Sequence, residues 1–193
     1  MGRPQTFDHD TVVRAARDVF WQVGYEGASL SELESATGLK RSSLYHAFGS
    51  KRGLFDAAVE HYLDQVVRPR LTGLHPDAAP DALLDYLRGL RSAILDDPLR
   101  GARGCLLIGV AGAAIGTDRA VAEVVTRYRA ELRTAIGHGM DARLPGHTPA
   151  DRHRLAEVCT GLVVAALALA RTDPVGSADQ LDVAADLIGT ELP

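Results

Sequence analysis

The 193-residue chain is predicted to be all-α, in two parts. Apolar residues recur at helical spacing almost from end to end, and strand-type alternation is nearly absent. Aromatic residues are only 5% of the chain against 46% hydrophobic, so the interior is built from Ala, Val and Leu, which suits closely packed helices. A Pro- and Gly-rich stretch, residues 72–80, interrupts the pattern and reads as a linker.

The first helix starts after Asp8, a residue type that caps free amides, with Phe7 and Val12 at the two positions of a hydrophobic staple. Val12, Val13, Ala16, Val19, Phe20 and Val23 form its apolar stripe, and Gly24 follows as a left-handed stop. A second helix opens at Ser29-Leu30-Ser31-Glu32, the spacing of a capping box, turns Leu30, Leu33 and Ala36 inward, and ends at Gly38. A third runs from about Arg41 to Ala47 with Leu44 and Phe48 inward, and Gly49 breaks it. Ser50 caps a fourth, which carries Leu54, Phe55, Ala58, Tyr62 and Val66 and loses regularity at Pro69. Beyond the linker the periodicity predicts helices over about 81–96, 104–116, 118–140, 149–171 and 177–190, with Pro174 marking the last turn. Val121, Val124, Val125, Tyr128, Leu132 and Ile136 mark the inner face of the middle one.

Charge is unevenly placed. The net charge is -4, yet from Ser35 through Phe55 there is no acid, while Lys40, Arg41, Lys51 and Arg52 fall inside that window. The overall acidity argues against a sequence-indifferent packaging protein, which depends on distributed positive charge. Two cysteines, Cys105 and Cys159, are too few for a disulfide scaffold and suit a reducing compartment. The opening MGRPQTFDHD has no apolar run of the signal-peptide kind. The longest apolar run, Gly161 to Ala170, is about half of a membrane span, so no membrane association and a cytoplasmic location are expected.

Enzymatic readings find little support. Gly137-His138-Gly139-Met140-Asp141-Ala142 imitates a dinucleotide fingerprint but ends a predicted helix rather than following a strand. No phosphate loop, zinc-protease or nucleophile-elbow string occurs, and His138, His147 and His153 do not share ligand spacing on a helix. No catalytic residue, metal site or cofactor is expected.

The window around residue 40 fits a helix-turn-helix. Such a unit needs a supporting helix, a tight turn, and a second helix whose polar leading end reaches base edges in the major groove while its other side is held by apolar contacts. Glu32 to Thr37 supplies the support, Gly38 the turn, Lys40-Arg41-Ser42-Ser43 the leading end, and Leu44 and Phe48 the anchor. Tyr45 and His46 project outward, and Lys51 with the amides after Ser50 forms a helix start suited to phosphate. Arg3, in the Gly-Arg-Pro arm, has two equal readings, a contact to an adjacent minor groove or an unstructured solvated tail.

The run from Gly38 to Lys51 resembles the recognition segment of the TetR family of repressors, and Gly24 to Leu33 matches its first-helix exit and supporting-helix start. The strong likeness covers about Phe7 to Ala58. It implies a helix-turn-helix DNA-binding domain over residues 1–52 and a helical effector-binding and dimerisation domain over 53–193. It further implies a ligand-responsive repressor that binds double-stranded, palindromic operator DNA as a homodimer and is released by a small-molecule effector. Carried over by position, Lys40, Arg41, Ser42 and Ser43 match base-reading or groove-facing residues, and Ser29, Tyr45, His46 and Lys51 match phosphate contacts. Lys40 stands where the family often has a small capping residue.

For the second part, Tyr62, Tyr86, Cys105, Tyr128 and Cys159 are the candidate lining of an effector pocket; core packing explains the three tyrosines equally well and the two cysteines better. The segment around residues 149–190 is the candidate dimer contact, with Leu162 to Ala170, Leu181, Ala184, Ala185 and Ile188 at its centre. The alternative reading is a helical small-molecule-binding or electrophile-sensing protein, acting through Cys105, in which DNA binding is secondary or lost.

Overall fold

The computed structural model describes residues 7–96 and 103–189; Arg3 and the last residue of the predicted final helix, at 190, lie outside them. The described residues are mostly helical, and no strand occurs among them. The chain divides into two compact units, Met1–Val67 and Arg68–Pro193.

In the first unit α1 (His9–Gly27) starts at Asp8, whose carboxylate accepts the Asp10 amide at 3.3 Å. Gly24, at φ 76°, kinks this helix, and one further turn follows it. Val12, Val13, Ala16 and Phe20 are buried as the stripe predicts, but Val23 is 40% exposed and Trp21 is buried instead. The cause is aromatic: Trp21 meets Tyr62 edge-on at 4.9 Å, while Phe20 meets Phe55 edge-on at 5.2 Å. Such pairs add about 1 kcal/mol beyond area burial. Helices α2 (Leu30–Thr37), α3 (Arg41–Phe48) and α4 (Lys51–Tyr62) complete the unit. Ala36, expected inside α2, is exposed, so Leu33 alone is fully buried there. Past Tyr62 the chain widens into a π turn, Leu63–Val67, before Pro69, whose ring is incompatible with the carbonyl four residues back in a regular helix.

The second unit contains α5 (Arg68–Leu71), α6 (Ala82–Asp96), α7 (Leu106–Ala111), α8 (Arg119–Arg143), α9 (Pro149–Leu169) and α10 (Pro174–Gly189). The stretch read as a linker is an irregular connection inside this unit, pinned by buried Leu74. The helix predicted over 104–116 is broken: α7 stops at Gly112, Ala113 is extended, and Ala114–Thr117 forms a 3-10 turn. Pro174 starts α10 rather than marking a turn ahead of it, as suits a first helical position where no amide bond is required. Leu83, Leu87, Leu107, Leu132, Ile136, Met140 and Leu181 are the large fully buried side chains of the unit. Gly139 lets α8 approach α6: a methyl group at that position falls 2.8 Å from Leu83 Cβ. The Gly137–Ala142 string therefore lies within α8, with no strand before it, and serves helix packing.

Helix α10 packs on α6 and α9. Leu181, Ala184 and Ile188, expected at the dimer contact, are covered by the chain itself at 1%, 0% and 1% exposure. Ser177 Oγ donates to the Ala166 carbonyl at 2.7 Å, a buried polar tie between α9 and α10. The faces left open carry Val158 and Leu169 on α9, and Val175 and Val183 on α10. No helix among the described residues is long and apolar enough to cross a membrane.

Candidate functional site

The supporting helix α2 is fixed at its start by a complete capping box. Glu32 accepts the Ser29 amide at 2.8 Å and the Ser29 hydroxyl at 2.6 Å, and its own amide donates to Ser29 Oγ at 3.2 Å. The Ser29 hydroxyl beside Glu32 holds this carboxyl below its ordinary range, with a smaller contribution from the charge of Lys51. Ser29 is thus engaged within its own turn. At the far end Gly38 adopts φ 69°, the left-handed conformation that lets the chain reverse tightly into α3.

Lys40 occupies the cap position of α3 and makes no side-chain cap bond. Its place is taken by Glu34, which reaches across the turn and accepts the Arg41 amide at 2.6 Å. Sequence reading missed Glu34, because the bond spans seven residues and matches no local capping pattern. Glu34→Ala is expected to cost the first unit about 1 kcal/mol, the usual loss when a helix cap is removed. The fluorescence of Trp21, the single tryptophan and a core residue of this unit, reports its unfolding in denaturant. An unshifted Trp21 transition means that Glu34 does not hold the helix.

The leading turn of α3 presents Lys40, Arg41 and Ser42 exposed, with Ser43 half-buried. Arg41 Nη2 lies 3.4 Å from the Tyr45 hydroxyl, and its guanidinium carbon stands 5.2 Å from the ring centroid, so the two side chains form one projecting pair. His46 is exposed beside them. Leu44, 2% exposed, fixes the helix from behind, and Phe48 is capped by the ring of His9 at 5.2 Å. Ser50 accepts the Gly53 amide at 3.0 Å and starts α4. At Gly53 a methyl group meets the Phe48 carbonyl oxygen at 2.0 Å, so the end of α3 and the start of α4 are in backbone contact. Lys51 stands with Nζ 4.6 Å above the ring of Tyr25, a cation-aromatic contact that steadies its charge. Tyr25 is a second residue the sequence did not single out; its aromatic type close to a basic window was the available signal. Lys40, Arg41, Ser42, Ser43, Tyr45, His46 and Lys51 thus fall on one short helix and the helix start next to it, with Ser29 at the head of the supporting helix.

The pocket candidates divide. Tyr62 lies in the first unit against Trp21. Cys105 is buried at 4% exposure, and its thiol donates to the Tyr128 hydroxyl at 3.5 Å. Cys159 is fully buried, and desolvation pushes its thiol up to about 12, which keeps it protonated and inert. Tyr86 is half-buried and lines a cavity of about 560 Å³ between the Arg70–Ala79 segment and α6. Its phenol is pushed well above its ordinary value, first by burial and then by the nearby thiols of Cys105 and Cys159. No group of three or more metal-ligating side chains occurs among the described residues.

The profile of bacterial regulatory proteins of the tetR family matches residues 12–58. The chain is 38% identical over 143 residues to the uncharacterized HTH-type transcriptional regulator YezE of Bacillus subtilis, a match covering 72% of each protein. It is 36% identical over 111 residues to the HTH-type transcriptional repressor ComR of Escherichia coli, covering 55% of this chain and 51% of that one. Its fold is similar to that of a cysteine mutant of the TetR family transcriptional regulator CifR, complexed with 26bp double-strand operator DNA. The TM-score is 0.81 and the identity 32%, covering 98% of this chain and 100% of the other.

Proposed function

The chain belongs to the TetR family of bacterial regulatory proteins, and on that premise we propose that it is a cytoplasmic, ligand-responsive repressor that binds a palindromic operator as a homodimer. The observation that carries the reading is the exposed leading turn of α3, free of acids, basic through Lys40 and Arg41, and backed by a single buried anchor, Leu44. A helix so presented suits the major groove, where Arg41 has the reach and the donors to read a guanine edge. Lys51 and the amides at the start of α4 suit a backbone phosphate. The repressor name of the Escherichia coli relative and the operator DNA in the CifR complex support the same reading.

Dimerisation falls to the open apolar faces of α9 and α10. Val158, Leu169, Val175 and Val183 are all at least 36% exposed in the single chain, and a second copy of the same surface covers them isologously. An effector bound in the second unit favours one dimer geometry over another. A duplex accepts two recognition helices only near one helical turn apart, or a multiple of it, so that preference lowers operator affinity.

The test is a footprint on the promoter region of the protein's own gene. A protected palindrome is expected, bound at least about a thousandfold more tightly than random DNA at moderate salt, with affinity falling steeply as salt rises. Binding no tighter than to random DNA, with no protected palindrome, rules out the operator-specific reading.

A further inference from the structure

We propose that the cavity between the Arg70–Ala79 segment and α6 is the effector site and that it takes a small organic anion, a carboxylate on an apolar body, held by Arg70 and the Tyr86 hydroxyl. This rests on the reading of the chain as an effector-responsive regulator and names the chemistry of the effector.

The cavity holds about 560 Å³, within the size range of small-molecule sites. Its floor is apolar, formed by buried Leu74 and Leu90 with Ala82 beside them. Charge around it is unequal. Asp85, itself part of the lining, lies 3.5 Å from Arg88, and Asp81 lies 2.9 Å from Arg143; Asp77, in the same segment, is exposed and forms no ion pair among the described residues. Arg68, next but one to Arg70 in sequence, is matched by Glu131 at 3.2 Å. Arg70 lines the cavity and pairs with no carboxylate among the described residues. Asp85, the one carboxylate in the lining, is shared with Arg88, and Arg70 is left to offer its positive charge to the cavity.

Tyr86 adds a directed donor. Its hydroxyl has no hydrogen-bond partner among the described residues, and no fully buried side-chain oxygen or nitrogen is left unpaired among them. The hydroxyl therefore keeps some exposure, and its side chain lines the cavity. Burial keeps it protonated across the physiological range, while the charge of Arg70 acts on it from the cavity side. A half-buried hydroxyl with no protein partner has its proton free to donate to an incoming carboxylate oxygen. His75 also lines the mouth; its Nδ1 accepts the Asp77 amide at 3.2 Å, which leaves the ring proton on Nε2 as a further donor.

The test is calorimetric titration of the full chain, without DNA, by octanoate and by its neutral and cationic counterparts octanamide and octylamine. Octanoate is expected to bind at least about tenfold more tightly than either. Arg70→Gln, at an exposed position, removes that advantage, and Tyr86→Phe weakens octanoate about fivefold. Gly89→Leu is the steric control: Gly89 lines the cavity on α6, a methyl group there meets nothing within 4 Å, and the change improves helix propensity while filling the space. It is expected to abolish octanoate binding with the melting temperature kept. Absence of octanoate binding at millimolar concentration, equal or tighter binding of octanamide or octylamine, or an unchanged octanoate affinity in Arg70→Gln overturns the proposal. Since no DNA is present, that failure is separate from failure of the footprint.

Discussion

Replacing Arg41 and Tyr45 together by alanine is expected to weaken specific operator binding about a hundredfold or more, near 3 kcal/mol, and to leave the fold standing. Arg41 is exposed in the first turn of α3, and Tyr45 lies one turn on, its hydroxyl 3.4 Å from the guanidinium. Tyr45 limits the swing of Arg41, so less rotamer entropy is lost when the arginine meets a base. Because the two side chains touch, their single replacements are expected to sum to more than the double one. Leu44 is the buried anchor of α3, whereas Arg41 is exposed and Tyr45 half-buried, so the melting temperature should stay within about 2 °C. Gel shifts against operator and scrambled duplexes, with circular dichroism melts, measure both sides. A collapsed melt places the pair in the core; unchanged operator affinity removes it from the DNA contact.

Gly104→Ala is expected to destabilise the second unit by about 3 kcal/mol, lowering its melting temperature by about 10 °C. Gly104 has φ 64°, where alanine is strained, and a methyl group added to it lies 2.4 Å from the Leu167 carbonyl oxygen. That oxygen belongs to the backbone of α9 and has little room to retreat. The residue after Gly104 is Cys105, at the head of α7, so a shift here is also expected to disturb the Cys105–Tyr128 contact. Gly109 is the control: it lies on α7 in open space, and alanine there should be neutral or stabilising. If the two variants melt alike, the close approach of Gly104 to α9 does not matter to stability.

The helix starts were legible because their caps are local. Asp8, Ser29 and Ser50 each bond amides within three residues, so spacing alone located them. The inner face of α8 was legible for a related reason, since Val121, Tyr128, Leu132 and Ile136 obey one period and are buried on it. What escaped depends on partners elsewhere in the chain. Glu34 caps α3 across a turn, and Trp21 departs from its stripe because Tyr62, far along the sequence, receives it. The candidate DNA contacts could be gathered from the sequence because they fall on one helix and the next helix start. The cavity could not: Arg70, His75 and Tyr86 come from two helices and the irregular connection between them, whose meeting no periodicity encodes.

Helix α3 has one buried side chain, Leu44, and its first amide, that of Arg41, is capped by Glu34 from outside the helix. Most of its other positions are consequently decoupled from the fold. Lys40, Arg41, Ser42 and His46 can be exchanged at little cost in stability, so the operator sequence recognised is open to rapid divergence between relatives that keep the same scaffold. The same separation makes this helix a practical place to rewrite specificity, provided that Glu34, Leu44 and the glycines on either side are left alone.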